Sequence, residues 1–485
     1  MTWLRAARWI VALVALVAVV SGCLPNRGAV SPDGRTFYFS LNEKAGFQVS
    51  TGSNVYALDV ESGRIKALTD GPGMKGWCTV SSDGRFLVYG TLVGGGGTVD
   101  RVDLGSHRTI PVTGVTQNYA LPWVVPGEPP YVVAIAQKSK DEWRWVLIAE
   151  RGEVPLVLPA DCAAVLGNVG LAPSRFAVPA FRKVKEGDKE KGEASVWVVD
   201  LSNPPAAEGD EKAAAPKADA KSPPPAAKPW PTFVCAAKWT DIADKEEPIF
   251  DLAFSSDGKR LAAAGSFGGK DKDQTRFFDV DPTGKEQPKL LFEVDGGCAP
   301  QWTPDGGLAY LRAIPGETSS REVVLWRPEM KEGRVIARLP GKFGRLLGAA
   351  WAEKAYTTCF WTKDGRMRIY HVADEGLWLI DAAADGTGAK ARRLSHERLA
   401  AQKYLADLER ALARLPESTP KELPEALANA VNAVEKPLQD AAKPTQEALK
   451  AAWAAASVWE EVPAVAPAGE GGKPVEKPAA EEKKP

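Results

Sequence analysis

The sequence predicts an all-β fold, a seven-bladed β-propeller followed by a short C-terminal helical segment, with six blades as the alternative count. Three observations carry this. A Ser/Thr-x-Asp-Gly turn recurs between apolar runs, an aromatic-x-x-Asp signature follows it, and the spacing of about 48 residues lies in the range of propeller repeats.

The chain opens with "MTWLRAARWIVALVALVAVVSGC", in which Arg5 and Arg8 precede an apolar run from Trp9 to Val20. That run is about 12 residues long, short of the roughly 20 that a bilayer-crossing helix needs. Basic flank, short apolar stretch and the small residues Ser21 and Gly22 together have the outline of a secretory signal peptide over residues 1–22.

From Ala29 onward the turns form a ladder. They are Ser31 to Gly34, Ser81 to Gly84, Ser255 to Gly258, Thr303 to Gly306 and Thr362 to Gly365, so that Asp33, Asp83, Asp257, Asp305 and Asp364 each precede a glycine, Gly34, Gly84, Gly258, Gly306 and Gly365. Asp and Ser/Thr side chains satisfy nearby backbone N–H groups, and glycine takes the positive φ that closes a short hairpin. Regular placement, one per repeat, makes these aspartates turn builders, and no metal ligand set is assigned. Two degenerate copies, "WVVPGEPPYVVAIA" around Pro126 and "LAPSRFAVPAF" around Pro173, keep the strand–turn–strand frame without Asp-Gly.

The second signature is Tyr56 with Asp59, Trp197 with Asp200, Phe278 with Asp281 and Trp378 with Asp381, an aromatic inside an alternating strand and an aspartate at its exit. A fourth strand follows in "RIKALTD", "RTIPVTG", "PKLLFEV", "RVIARLP" and "ARRLSHE". The propeller so defined spans 23–395. Inside its fourth unit, "SNPPAAEGDEKAAAPKADAKSPPPAAKPWP" is too poor in apolar surface to order itself and predicts a disordered insertion at about 203–230. The charged "KVKEGDKEKGE" is expected to be a mobile loop as well.

Beyond the propeller, 396–460 switches to a helical period. Leu399, Leu405, Leu408, Leu412 and Leu415 share one face of a first helix; "KELPEALANAVNAVEKPL" and "TQEALKAAWAAASVWEEV", with Trp453 and Trp459, follow as further candidates separated by prolines. Their stripes dock on the propeller or on one another, or else capture a partner. A disordered tail, 461–485, is expected after them.

Composition excludes several functions. The 61 basic and 62 acidic residues cancel, so nothing draws the chain to nucleic acid. His107, His371 and His396 are the three histidines, and none has zinc-site spacing. The glycine run Gly94 to Gly97 lacks the Lys-Ser/Thr of a phosphate loop, and the carboxylates Asp241, Asp244, Asp271 and Asp273 lie in loops where charges are solvated. No G-x-S-x-G is present, and no sialidase-type Asp box matches because glycine follows serine by three and not four positions. No catalytic residue and no cofactor are assigned, and the chain is not expected to be an enzyme.

Two resemblances extend this reading. Val20-Ser21-Gly22-Cys23 resembles the lipobox of bacterial lipoproteins, which implies cleavage before Cys23, acylation of that cysteine and anchoring in a membrane of the cell envelope. Leu24, rather than Asp, follows it, which by the same resemblance implies outer-membrane retention facing the periplasm in a bacterium with two membranes. "SPDGR", "LWLID" and "RRLS" resemble the TolB-type, WD-repeat-like propellers of bacterial envelope proteins over about 28–395. Export leaves five cysteines, Cys78, Cys162, Cys235, Cys298 and Cys359, an odd number. Mostly free buried thiols are expected, with Cys162 and Cys235 the pair best placed to join, because both fall in one repeat. The function expected is protein binding or scaffolding by a lipid-anchored propeller with an envelope protein as partner. The alternative is a small-ligand or carbohydrate sensor, or a hydrolase, that uses the channel.

Overall fold

The computed structural model describes residues 27–462, apart from short connections and the longer segments 202–232, 340–355 and 413–445. Cys23, the insertion, Cys235, the second helix candidate and the tail after 462 lie outside the described residues.

Seven antiparallel sheets follow one another along the chain. Blade 1 is built from Ala29–Val30, Thr36–Leu41, Asn54–Asp59 and Ile65–Ala67, and blade 2 from Met74–Val80, Phe86–Val93, Gly96–Asp103 and Thr109–Pro111. Blade 3 takes Asn118–Val125, Tyr131–Ser139, Glu142–Ala149 and Gly152–Val154. In blade 4, Cys162–Ala164 and Gly170–Ala172 both pair with Arg175–Glu186, followed by Lys189–Asp200 and Ala237–Trp239. Blade 5 comprises Ile249–Phe254, Arg260–Gly265, Gln274–Asp279 and Lys289–Asp295; blade 6 comprises Gly297–Trp302, Leu308–Ala313, Arg321–Trp326 and Arg334–Leu339. Blade 7 has Tyr356–Trp361, Met367–Ala373, Gly376–Ala382 and Lys390–Ser395, and gains a fifth strand, Glu460–Val462. The degenerate repeats at Pro126 and Pro173 are blades 3 and 4, and the count is seven.

Alternation within each strand gives two apolar faces, so every blade must pack on both neighbours. A separate apolar core fills each of the seven interfaces, including the one between blades 7 and 1. Among the described residues the ring closes there without strand exchange. Phe37 stacks on Tyr370 at 4.6 Å, and Arg368 Nη1 donates to Gly34 O at 2.9 Å.

The turns behave as small rigid units. Ser31 Oγ accepts from Thr36 N at 2.9 Å, Asp33 Oδ1 accepts from Arg35 N at 3.0 Å, and Gly34 N donates to Ser31 O at 2.8 Å. Blades 2 and 5 repeat the pattern with Asp83 on Arg85 N and Asp257 on Lys259 N. Thr303 hydrogen-bonds Asp305 in blade 6, and Thr362 Oγ1 accepts from Arg366 N in blade 7. All five turn glycines have φ between 67° and 84°. Two of them separate backbone strain from crowding. A methyl at Gly365 meets nothing within 4 Å, whereas one at Gly34 meets the Phe360 ring at 2.6 Å. Gly365→Ala should cost about 1 kcal/mol of left-handed strain, and Gly34→Ala distinctly more because it also displaces a ring in the closing interface. Urea unfolding midpoints of the two variants measure the difference.

Three elements differ from expectation. "KVKEGDKEKGE" is no loop: except for 187–188 it forms the outer part of the blade 4 hairpin. Its register sets Arg182 opposite Glu193, Lys185 opposite Glu190 and Glu186 opposite Lys189, so the charges that suggested a loop are complementary across the strands. In blade 5 the exit aspartate is Asp279 and not Asp281, since Arg260 pairs with Asp279 as Thr36 pairs with Asp59. And "TQEALKAAWAAASVWEEV" is helical only over Gln446–Ala456, its end turning into the fifth strand of blade 7.

The helical segment docks on the ring. Helix α1, His396–Leu412, starts behind Ser395, whose Oγ accepts from Arg398 N at 3.4 Å, and buries Leu399, Leu405, Ala406 and Leu408 in the core that joins blades 7 and 1. Helix α2, Gln446–Ala456, adds Ala452, Trp453 and Ala456 to the same core. Gln402 is fully buried between them: its Oε1 accepts from Ile65 N at 2.8 Å while Nε2 donates to Gly63 O at 2.9 Å and Ala456 O at 3.0 Å. Tyr56 donates to Asp407 at 2.8 Å, Arg410 to Asp70 at 3.1 Å, and the Arg64 guanidinium lies 4.3 Å from the Trp453 ring centre. The segment is a latch across the seam where the first and last blades meet.

Candidate functional site at the centre of the ring

The first strand of each blade lines the axis, and the residue six places before the turn aspartate sits at one level on it. Arg27, Trp77, Asp251, Ala299 and Thr358 hold that place in blades 1, 2, 5, 6 and 7. Asn168 stands in line with them in blade 4, forming a parallel bridge with Asp251. Register shifts mark the strand pairs around this level in blades 2, 3, 5 and 6. Trp77, Leu121 and Ala299 take positive φ of 57°, 52° and 48° there. Bulges of this kind re-aim side chains.

The side chains meet across the axis. Arg27 Nη1 donates to Asn168 Oδ1 at 2.9 Å, and blades 1 and 4 are not neighbours, so this bond spans the channel. Asn168 Nδ2 donates to Asp251 Oδ1 at 2.6 Å, and Ala299 N to Asp251 Oδ2 at 3.0 Å. The Arg27 guanidinium lies 3.9 Å from the Trp123 ring centre, and Trp123 packs edge-on against Trp77 at 5.4 Å. Backbone bonds tie adjacent strands at this level, Cys78 N to Arg27 O at 3.0 Å and Leu252 N to Asn168 O at 3.1 Å.

Burial pushes the Asp251 carboxyl above its ordinary range, and the Ala299 and Asn168 donors together with the Arg27 charge pull against it. Burial likewise lowers Arg27 to about 10, with Asp251 opposing. The arrangement is a polar plug: one carboxylate, one guanidinium and one amide satisfied by each other, walled by two indoles. It offers no activated nucleophile.

The predicted turn residues are not gathered here. Asp33, Asp83, Asp257, Asp305 and Asp364 lie on five separate blades around one rim, each engaged within its own turn. Cys78 and Cys359, five places before their turn aspartates, are free thiols, and burial pushes each up to about 12. His371 is fully buried beside Thr357 Oγ1 at 3.0 Å; His107 sits in a turn against Lys66 at 2.9 Å. The glycine run falls in the hairpin where Val93 pairs with Gly96. Among the described residues no group of three or more His, Cys, Asp and Glu side chains could hold a metal ion, and no helix is long and apolar enough to cross a membrane. The axial cluster was missed in the sequence; its one signal was a charged residue inside the apolar strand "IFDLAF".

No protein-family model and no curated protein matches the chain. Among solved structures it is similar to TolB from Acinetobacter baumannii, at 10% identity over 75% of this chain and 64% of that one, with a TM-score of 0.41. It is also similar to a puromycin-hydrolyzing peptidase of Mycobacterium tuberculosis, at 12% identity over 77% and 52% with a TM-score of 0.47. An oligogalacturonate lyase from Vibrio parahaemolyticus matches at 12% identity over 76% and 89%, with a TM-score of 0.44. The chain thus spans less than two thirds of the first two proteins' lengths. At these identities neither an activity nor a partner carries over.

Proposed function

We propose that the chain is a lipid-anchored propeller of the bacterial cell envelope, held by an acylated Cys23, that binds or scaffolds another envelope protein through its rims. The observation that carries this reading is the Arg27–Asn168 bond across the axis. A channel-based sensor or hydrolase needs room for its ligand where Arg27, Asn168, Asp251 and Trp123 stand in contact. The apolar stripe of α1 is likewise spent on the ring, which leaves the loops of the two rims as the surface for a protein partner. Anchoring rests on the lipobox resemblance, and outer-membrane placement on Leu24.

Cys23→Ala is expected to move the protein from the membrane pellet to the soluble fraction and to remove the acyl mass from its N-terminal peptide. Retention in the pellet without lipid would overturn the anchor. Partner capture by in-cell crosslinking should survive substitutions on the axis such as Asn168→Ala and be lost with substitutions in rim loops; the reverse pattern would return the site to the channel.

A further inference from the structure

We infer that the outer edge of blade 7 is a strand-acceptor site for an extended acidic segment of a protein partner, and that Glu460–Val462 of this chain is its resident competitor. The site lies on the perimeter of the ring and depends neither on the anchor nor on the rims. Among the described residues, blade 7 is the one blade whose fourth strand has a further strand laid outside it. The addition is antiparallel, with Ala391, Arg392 and Arg393 set opposite Val462, Glu461 and Glu460. It uses three residues of an acceptor strand of six.

Charge selects the occupant. Arg393 donates to Glu460 Oε2 from Nη2 at 2.8 Å and from Nε at 3.2 Å, while Arg398 Nε lies 3.4 Å from Oε1, so one carboxylate is held from the strand and from α1 together. Arg392 stands opposite Glu461, and its guanidinium lies 4.6 Å from the Trp459 ring centre. Lys390 extends the basic run, with Asp381 opposite it on the inner side. On the two faces of the added strand, Trp459 packs against the core between blades 7 and 1 and Val462 against the core between blades 6 and 7. Backbone pairing supplies the hold in such a site and the alternating side chains supply the choice, here acids where Arg392, Arg393 and Arg398 wait. A basic segment would meet like charge at all three.

The resident is separable from the helix that brings it. Helix α2 is held by Ala452, Trp453 and Ala456 in the core and by the Gln402 bond to Ala456 O. The strand beyond it has only three residues, and Glu461 is exposed. A pairing that short is marginal by itself, so the strand can peel away while α2 stays. The edge it leaves is a row of backbone groups ready to pair with another chain. Tethered competition, at an effective concentration on the order of millimolar, keeps the edge closed to weak segments.

The probe is a fluorescein-labelled synthetic peptide, Ser-Val-Trp-Glu-Glu-Val, the sequence of residues 457–462, titrated against the full chain and read by fluorescence anisotropy. Glu460→Lys with Glu461→Lys turns the resident against the edge, and this double variant is expected to bind the peptide about tenfold more tightly than the unaltered chain. Adding Arg393→Glu should abolish the gain, and the peptide Ser-Val-Trp-Lys-Lys-Val should bind neither the unaltered chain nor the double variant. Equal affinity of the acidic peptide for both, or a gain that survives Arg393→Glu, would overturn the acceptor site. Hydrogen exchange in Gln446–Ala456 is followed alongside, and retained protection is expected because the strand leaves alone. If α2 loosens with it, the titration passes to Glu460→Gln, which weakens only the contacts with Arg393 and Arg398; no gain in that variant would refute the site as well.

Discussion

Asp251→Ala is expected to lower the stability of the ring by about 3 kcal/mol, read as a drop in the urea midpoint with an unchanged slope. The substitution leaves the Ala299 N–H and the Asn168 amide without their acceptor and removes the Asp251 charge that acts on Arg27. Asp251→Asn retains an acceptor of the same shape and should lose less. Combining Asp251→Ala with Arg27→Met should recover part of the loss, since the uncompensated charge goes with its partner. Purely additive losses would mean that the two groups do not act on each other.

The pH dependence has a definite sign. Burial raises the Asp251 carboxyl above its unfolded value, so its contribution is fully present in acid, below the ordinary carboxylate range, and is lost as pH rises through the raised value. The turns run the other way. At Asp83 burial is outweighed by hydrogen bonds from Ser81 and Arg85, which bring it down to about 2; at Asp33, Asp257 and Asp364 the hydrogen bond from Ser31, Ser255 or Thr362 leads the lowering. Their contribution is present above the ordinary value and is lost as pH falls through each lowered value, which for Asp83 is about 2. Asp251→Asn should remove the first trend and leave the second.

Gln402→Ala should be nearly as damaging, about 2–3 kcal/mol, although it lies far from the axis. It strips the acceptor from a buried Ile65 N–H and the donor from Gly63 O and Ala456 O, and it loosens α1 from both blade 1 and α2. Hydrogen exchange separates this from general destabilisation: protection should fall first in Ile65–Ala67 and Lys390–Ser395, the strands the latch joins, while blades 3 to 5 keep theirs. Uniform loss around the ring would deny the latch its local role. A chain stopped after Glu397 is for the same reason a poor probe of partner binding, because it removes a piece of the core.

The blades were legible because their signal is backbone chemistry: a glycine at positive φ beside an aspartate that accepts from a backbone N–H and from the turn's own hydroxyl admits few other residues, so the turn repeats recognisably. The axial level repeats in place and not in type. Arg27, Trp77, Asn168, Asp251, Ala299 and Thr358 share a position but no chemistry, and their complementarity appears only when non-neighbouring blades face each other. The stripe Leu399, Leu405 and Leu408 was visible, yet its target was hidden, since Leu58 and Ile65 already belonged to a strand pattern. Charge misled at the hairpin, where the register sets basic positions opposite acidic ones and so admits a charged run within a strand pair. In blade 5 the register sets Arg276 opposite Ala263 as Tyr56 is set opposite Phe39, so the aromatic of the signature is absent there and only the pairing shows that the exit aspartate is Asp279.

The unexchanged seam has a kinetic consequence. The strands that each blade shares with the others follow one another along the chain, so most of a blade forms from short-range contacts as its own stretch of chain becomes available. The contacts of Gly34 with Arg368 and Ile65 with Gln402 are separated by 334 and 337 positions, and their loop-closure entropy falls due only when blade 7 and helix α1 arrive. Until then the growing protein is an open arc, its terminal blades exposing apolar faces to any chaperone or neighbour that meets them.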